Sequence, residues 1–152
     1  MLNKLTALFD RAFVAEPGID PVAREQGLRV ATALLLVEVA RADYVDDLAE
    51  NDAIFAGLKQ FFALDEDETQ LLVEEARGAA DHAVELQQFT RRLHEQLSQA
   101  EKLRIVEMLW QVALADLKLD KLEDYTVRKI ADLLYVPHSD LIRIRNRVRG
   151  EQ

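Results

Sequence analysis

The sequence predicts an all-α protein, and three observations support this fold class. Among 152 residues only five are Gly and three are Pro, which leaves little turn chemistry for a multi-stranded sheet. Apolar residues recur at helical spacing along most of the chain. A pattern of helix end, acidic bend and helix start also occurs twice, 73 positions apart. We therefore expect a compact bundle of seven to eight helices with an internal pseudo-two-fold duplication.

The repeated pattern covers residues 40–50 and 113–123 and reads A-x-A-D-x-x-x-D-x-x-E in both copies. The identical pairs are Val39/Val112, Ala40/Ala113, Ala42/Ala115, Asp43/Asp116, Asp47/Asp120 and Glu50/Glu123. The repeat units are predicted at about 28–77 and 101–149. Both lie inside one domain that comprises residues 1–152.

The N-terminal region, residues 1–16, is predicted to carry a short amphipathic helix over residues 2–14. Its apolar positions are Leu2, Leu5, Leu8, Phe9, Ala12 and Phe13. We favour a helix that covers the core, because its polar face is not especially basic; peripheral membrane contact is the alternative. The segment 17–21 breaks this helix, and Asp20 with Pro21 suits the start of the next one.

The first half of the chain continues with three further predicted helices. The first spans residues 21–43 and is apolar almost all round at its centre, which is typical of a buried helix. The second carries Ile54, Leu58, Phe61 and Phe62 on one face. Asp65 and Glu68 form a predicted capping box for the third, whose outer face is acidic.

The second half opens with a segment whose apolar stripe is Leu86, Phe89, Leu93 and Leu97. Ser98 and Glu101 form a second predicted capping box. The helix that follows carries Leu103, Val106, Trp110, Ala113 and Leu117 in phase. After Leu117 the next positions on this helical face are polar, so we expect the helix to end between Asp116 and Asp120. A new stripe then contains Leu119, Leu122, Val127, Ile130 and Leu134, and a turn at 137–139 with His138 precedes the last helix.

Charge and composition exclude several functions. The chain has no Cys, which rules out thiolate metal sites and Cys nucleophiles. The net charge is −9, and residues 31–76 hold most of the acidic excess, so nucleic acid is not an expected ligand. No signal peptide or membrane span is apparent, and a cytoplasmic location is expected. The three His have no ligand spacing, and no catalytic motif is present, so we expect no enzyme.

The acidic bends have two interpretations. Asp47 with Glu50, and Asp120 with Glu123, suit an N-cap and its N3 partner. Asp43 and Asp116 would lie at the negative end of the preceding helix dipole, where an acid is disfavoured. Two kinds of group would offset this unfavourable interaction: the amide groups of the next helix, or a bound divalent cation, which prefers oxygen ligands. The spacing excludes an EF-hand, so a cation would require carboxylates from both bends. The candidate metal ligands are Asp43, Asp47, Glu50, Asp116, Asp120 and Glu123.

These residues also resemble those of the tellurite-resistance TerB-like family. The resemblance rests on V-A-x-A-D followed by D-x-x-E, and on the segment 101–140, which contains W-Q-V-A-L-A-D-L-K-L-D-K-L-E-D. It implies an all-helical pseudo-symmetric fold, acidic positions suspected of binding a divalent cation, and a role in chemical stress. Tyr44 and Leu117 stand where the family commonly has Gly.

Two functions follow as hypotheses. The first is a non-enzymatic, cytoplasmic stress-response module that binds a divalent cation through the two bends, with no other cofactor. The second is a protein-interaction scaffold without metal, which docks other proteins through the acidic surface of residues 65–75 and the four Arg of the last helix. These are Arg143, Arg145, Arg147 and Arg149. The sequence does not determine the oligomeric state.

Overall fold

The computed structural model describes residues 21–42, 48–80, 86–115 and 120–150. Within these ranges the chain is all-helical, which confirms the predicted fold class, and it forms seven helices. They are α1 (Pro21–Arg41), α2 (Leu48–Phe61), α3 (Glu66–Ala80), α4 (Leu86–Gln96), α5 (Gln99–Ala113), α6 (Lys121–Leu133) and α7 (His138–Val148). The amphipathic helix predicted over residues 2–14 lies outside the described residues.

Helix α1 is at the centre of the bundle. It packs against α2, α3, α4, α5 and α6, and its central residues Ala33, Leu35 and Leu36 are completely buried. An apolar helix of this kind has no face that can stand in water, so other helices must cover it on every side. None of the helices in the described ranges is long and apolar enough to cross a membrane.

Helix α5 is the second central element. It packs against α1, α2, α6 and α7, and Trp110 on it is completely buried. The Trp110 indole Nε1–H donates to the carbonyl oxygen of Leu141 at 3.1 Å. This bond satisfies the polar end of a buried Trp, and it fixes the start of α7 on α5. The sequence-based assignment of Trp110 to the core is confirmed.

Two capping boxes are present where the sequence predicts them. At α3, the Glu68 amide donates to Asp65 at 2.8 Å and the Asp65 amide donates to Glu68 at 3.2 Å. At α5, the Ser98 amide donates to Glu101 at 2.9 Å and the Glu101 amide donates to Ser98 at 3.2 Å. Local sequence therefore determines both helix starts.

Helices α2 and α6 end in the same way without glycine. Ala63 and Tyr135 adopt left-handed backbone conformations, with φ of 54° and 58°. The amide of the next residue then reaches back over the last turn, from Leu64 to Lys59 O at 3.0 Å and from Val136 to Ala131 O at 2.9 Å. This is the bond of a Schellman-type helix end.

The two acidic bends also begin alike. The Ala42 amide donates to Val39 O at 3.2 Å, and the Ala115 amide donates to Val112 O at 3.3 Å. All four residues belong to the repeated pattern, so identical residues make the same turn at the end of α1 and of α5. A duplication of the whole chain stays a prediction.

Three predicted boundaries differ from the structure. Helix α1 ends at Arg41 rather than at residue 43. Helix α5 ends at Ala113, before the predicted break. His138, which we expected in a turn, is the first residue of α7, and Pro137 is its N-cap. The fixed φ of Pro137 ends the preceding loop, so the helix begins directly after it.

The Trp110–Leu141 bond yields a stability prediction. Replacing Trp110 by Phe removes the indole donor and leaves a small cavity, and we expect the free energy of unfolding to fall by about 1–3 kcal/mol. Urea unfolding followed by circular dichroism measures this change. Tyr125→Phe is the matched control, because Tyr125 is exposed and should change stability by less than about 0.5 kcal/mol. Equal stability of the two variants would contradict the proposed importance of the bond.

Candidate functional site

The first acidic bend joins α1 to α2. Asp43 and Asp47 lie outside the described residues, whereas Glu50 occupies the third position of α2. The Glu50 residue is only 1% exposed. A carboxylate on the first turn of a helix normally faces water, so the burial of this one is unusual.

The second bend joins α5 to α6, and Asp116 lies outside the described residues. Asp120 is the N-cap of α6, and its Oδ1 accepts a hydrogen bond from the Leu122 amide at 2.7 Å, which confirms its capping role. Glu123, at the third position of α6, is again 1% exposed. It is therefore buried at the same place as Glu50 in α2.

One residue of the apolar stripe predicted for α6 is wrong, and Leu119, the first of the stripe, lies outside the described residues. We expected Leu122 in the core, but Leu122 is 50% exposed and Glu123 is buried in its place. The buried face of α6 continues from Glu123 through Val127 and Ile130, at the spacing of one helical face. The direction in which the chain leaves the bend decides which residue of the first turn points inward.

The end of α1 and the start of α6 border one cavity. This cavity has a volume of about 280 Å³, and its lining includes Ala42, which precedes Asp43, and Leu122, which follows Asp120 by two residues. Because α1 packs against α6, the residue before the first bend lies near the first turn of the helix that follows the second. Glu50, Asp120 and Glu123 are not among the residues that line this cavity.

Glu38 lines the same cavity together with Arg41 and Lys129. Burial raises the pKa of the Glu38 carboxyl, and the positive charges of Arg41 and Lys129 lower it in part. Our sequence analysis did not single out Glu38. The sequence feature that could have identified Glu38 is that it is the one charged residue in the apolar stretch 31–40.

The donor set of the bends suits a hard cation. Glu50, Asp120 and Glu123 offer carboxylate oxygens, which Ca²⁺, Mg²⁺ and Mn²⁺ prefer. Within the ranges that the structure describes, however, no group of three His, Asp or Glu side chains could hold a metal ion. A complete site would therefore need ligands from Asp43, Asp47 or Asp116.

The acidic surface predicted over residues 65–75 is exposed as expected. It consists of the exposed side chains of Asp65, Glu66, Asp67, Glu68, Glu74 and Glu75. At its centre Leu71 is 60% exposed. Asp67, Glu68, Glu74 and Glu75 stand three and four positions to either side of Leu71, and these are its neighbours on a helix surface.

The three Arg of α7, which ends at Val148, form contacts within the protein, and Arg149 is the C-cap of the helix. Arg143 pairs with Asp140 at 3.1 Å, and Arg147 pairs with Glu107 on α5. Arg145 donates to Asn146 at 3.2 Å. These contacts reduce the positive charge that the helix could offer to a partner, so the acidic face of α3 is the better candidate for docking.

Lys102 on α5 is a buried cation that the sequence did not reveal. Its Nζ forms a hydrogen bond with Nδ1 of His94, and the His94 ring packs on Tyr135 with 4.4 Å between centroids. Burial lowers the pKa of the Lys102 amine. The contact ties the end of α4 to α5, and His94 is partly buried.

The fold of the described residues defines the class of this protein as an all-helical domain. The family model described as "Tellurite resistance protein TerB" matches residues 29–146. This is more than half of the chain, and the protein belongs to that family. No curated protein matches the chain, and no solved structure matches it.

The raised pKa of Glu38 yields a pH-dependent prediction. The folded protein holds the Glu38 proton at a higher pH than the unfolded chain, so wild-type stability falls as the pH rises from 4.5 through the raised pKa. Glu38→Gln removes this loss. We expect the variant to be more stable than wild type at pH 8 and the difference to shrink toward pH 4.5, as measured by urea unfolding.

Glu75→Gln is the control for this experiment, because Glu75 is exposed on α3. Its stability difference from wild type should not change with pH in the same way. A Glu38→Gln variant that matches wild type at every pH would show that burial of this carboxyl has no cost.

Proposed function

We propose that this TerB-family protein is a non-enzymatic module of a chemical-stress response that binds a divalent cation between its two acidic bends. The observation that carries the proposal is the equivalent burial of Glu50 and Glu123 at the starts of α2 and α6. Carboxylate oxygens are the donors that hard divalent cations prefer. The two buried carboxylates occupy the same position in equivalent helix starts, so one cation could take a ligand from each.

The location of the 280 Å³ cavity supports the proposal. Ala42, just before the first bend, and Leu122, in the first turn after the second, border it, so the chain segments that flank the two bends lie close together. Glu50 and Glu123 would be the inner ligands, and Asp43, Asp47, Asp116 and Asp120 the remaining candidates. All offer hard oxygen donors, which favours Ca²⁺, Mg²⁺ or Mn²⁺ over softer metals.

A cation titration tests this function. Thermal unfolding is measured after chelation and then with Ca²⁺, Mg²⁺ or Mn²⁺ added to each sample. An ion at a hundred times its dissociation constant should stabilise the folded protein by about 2.7 kcal/mol. Glu50→Gln and Glu123→Gln should each reduce this gain, as should the double variant Asp43→Asn/Asp116→Asn.

Glu75→Gln provides the matched control, since it removes one carboxylate from the exposed face of α3. It should respond to the ion as wild type does. The proposal fails if no ion stabilises the wild type, or if the bend variants and Glu75→Gln respond equally.

A second candidate function is docking of a basic protein segment on α3. It is favoured by Leu71, which is 60% exposed and surrounded by four carboxylates. The four carboxylates would attract a partner of opposite charge, and Leu71 would offer that partner one apolar contact. The expected partner is a cationic helix that presents an apolar residue.

Fluorescence anisotropy with a labelled Lys/Leu amphipathic peptide tests this candidate. Binding should weaken with added salt, and Leu71→Ala should weaken it further through loss of the apolar contact. Tyr125→Ala is the control, because it removes an exposed aromatic residue from α6. Binding that depends on salt but not on Leu71 would indicate non-specific charge attraction. Such a result would contradict docking on α3 as a function.

A further inference from the structure

The outer face of α6 carries two large apolar residues that stand in water. Leu122 is 50% exposed and Tyr125 is 64% exposed. They are three positions apart, so they are neighbours on one face of the helix. Tyr125 also lines two open grooves, one of about 280 Å³ and one of about 400 Å³, on either side of this face. In the described ranges no other helix covers these two side chains.

Positive charge surrounds Tyr125 on this face. Its neighbours on the helix surface are the residues three and four positions away, namely Lys121, Leu122, Arg128 and Lys129. Arg128 pairs with Asp124 at 2.8 Å. Lys121 and Lys129 are exposed, and neither forms a salt bridge with another residue that the structure describes. The exposed Asp132 lies about two turns further along α6.

Helix α3 presents the opposite arrangement. Leu71 is 60% exposed, and its neighbours at the same four positions are all carboxylates, namely Asp67, Glu68, Glu74 and Glu75. All four are exposed, and none forms a salt bridge with another described residue. An apolar residue among negative charges on α3 therefore matches an aromatic residue among positive charges on α6. Complementary charge of this kind favours contact between two surfaces.

The two faces do not meet within one copy of the chain. Helix α3 packs against α1 and α2, whereas α6 packs against α1, α4, α5 and α7. Leu71 and Tyr125 are both largely exposed in the folded chain. A second copy is therefore needed to bring the two faces together.

We propose that the outer face of α6 is a docking surface for α3 of a second copy of this protein. Leu71 would pack on Leu122 and Tyr125, and the carboxylates around Leu71 would pair with Lys121 and Lys129. The inference rests on the second candidate function, docking on α3, and names its partner. Because the contact joins unlike faces, two copies can exchange it in a closed dimer, or successive copies can repeat it in a ring or chain.

Salt should affect this contact in a defined way. Each copy carries a net charge of −9, so the distant charges of two copies repel. At about 0.15 M salt the Debye length is about 8 Å, and this repulsion is largely screened while charges in direct contact still attract. At about 1 M salt the Debye length is about 3 Å, and the attraction weakens as well. Association should therefore be stronger at the lower of these two concentrations.

Sedimentation equilibrium over a range of protein concentrations tests the proposal. The average mass of the wild type should rise with concentration at about 0.15 M salt and rise less at about 1 M. Leu71→Ala and Tyr125→Ala should each weaken the association by about 10-fold, because each removes one side of the apolar contact. Arg91→Gln is the control, since it removes an exposed cation from α4 and should associate as the wild type does.

A mixture of the two variants identifies the faces in contact. It contains one intact pair, α3 of the Tyr125→Ala chain and α6 of the Leu71→Ala chain. The mixture should therefore associate more strongly than either variant alone. Contact of α3 with α3, or of α6 with α6, would give no such gain.

Three results would overturn the proposal. One is a wild type whose mass does not change with concentration. Another is equal association of the wild type, Leu71→Ala and Tyr125→Ala. The third is a mixture that associates no better than its components.

The Lys/Leu peptide separates this inference from the candidate function on which it rests. Peptide binding that depends on Leu71, without self-association of the wild type, would leave docking on α3 in place and assign it to a partner other than a second copy. Absence of both peptide binding and self-association would contradict the candidate function and this inference together.

Discussion

The structure depends on the need to bury α1 on every side. Between Leu28 and Ala40 this helix has only three polar residues, Arg29, Thr32 and Glu38, and five other helices pack around it. A helix without a polar face requires such surroundings. Its few polar side chains therefore lie at gaps between the covering helices. Thr32 lines a cavity between α1, α2 and α5, and Glu38 lines the 280 Å³ cavity beside α6.

The two acidic joints follow from the same requirement. Helices α1 and α5 carry buried residues close to their ends, Ala40 and Ala113, and each is followed within a few residues by a new helix that packs against it. The Ala42 and Ala115 amides make the same turn, and the next helix places a Glu inward in each case. The cap residue Asp120 remains partly accessible while Glu123 is buried. Capping explains the position of Asp120, and Glu50 and Glu123 are buried because the first turn of each helix faces the core.

The sequence predicts the features of this fold that are local. The helices, both capping boxes and the central position of α1 could be predicted, because each depends on residues a few positions apart. The residue that is buried in the first turn of α6 could not be predicted. Whether Leu122 or Glu123 points inward depends on the direction of the preceding bend, which sequence spacing does not determine. The candidate site was predicted only as a set of carboxylates, since Glu38 becomes part of it through packing of α1 on α6.

The two cavities belong to different faces of α1. Thr32 and Glu38 are six residues apart, which corresponds to about 9 Å along the helix axis and to about 240° around it. The packing residues between them, Leu34, Leu35 and Leu36, are buried without polar contacts of their own. A substitution of Thr32 therefore leaves the surroundings of Glu38 in place, and the reverse holds as well. Because the two side chains face different covering helices, the cost of burying Glu38 and the packing around Thr32 can be measured independently of each other.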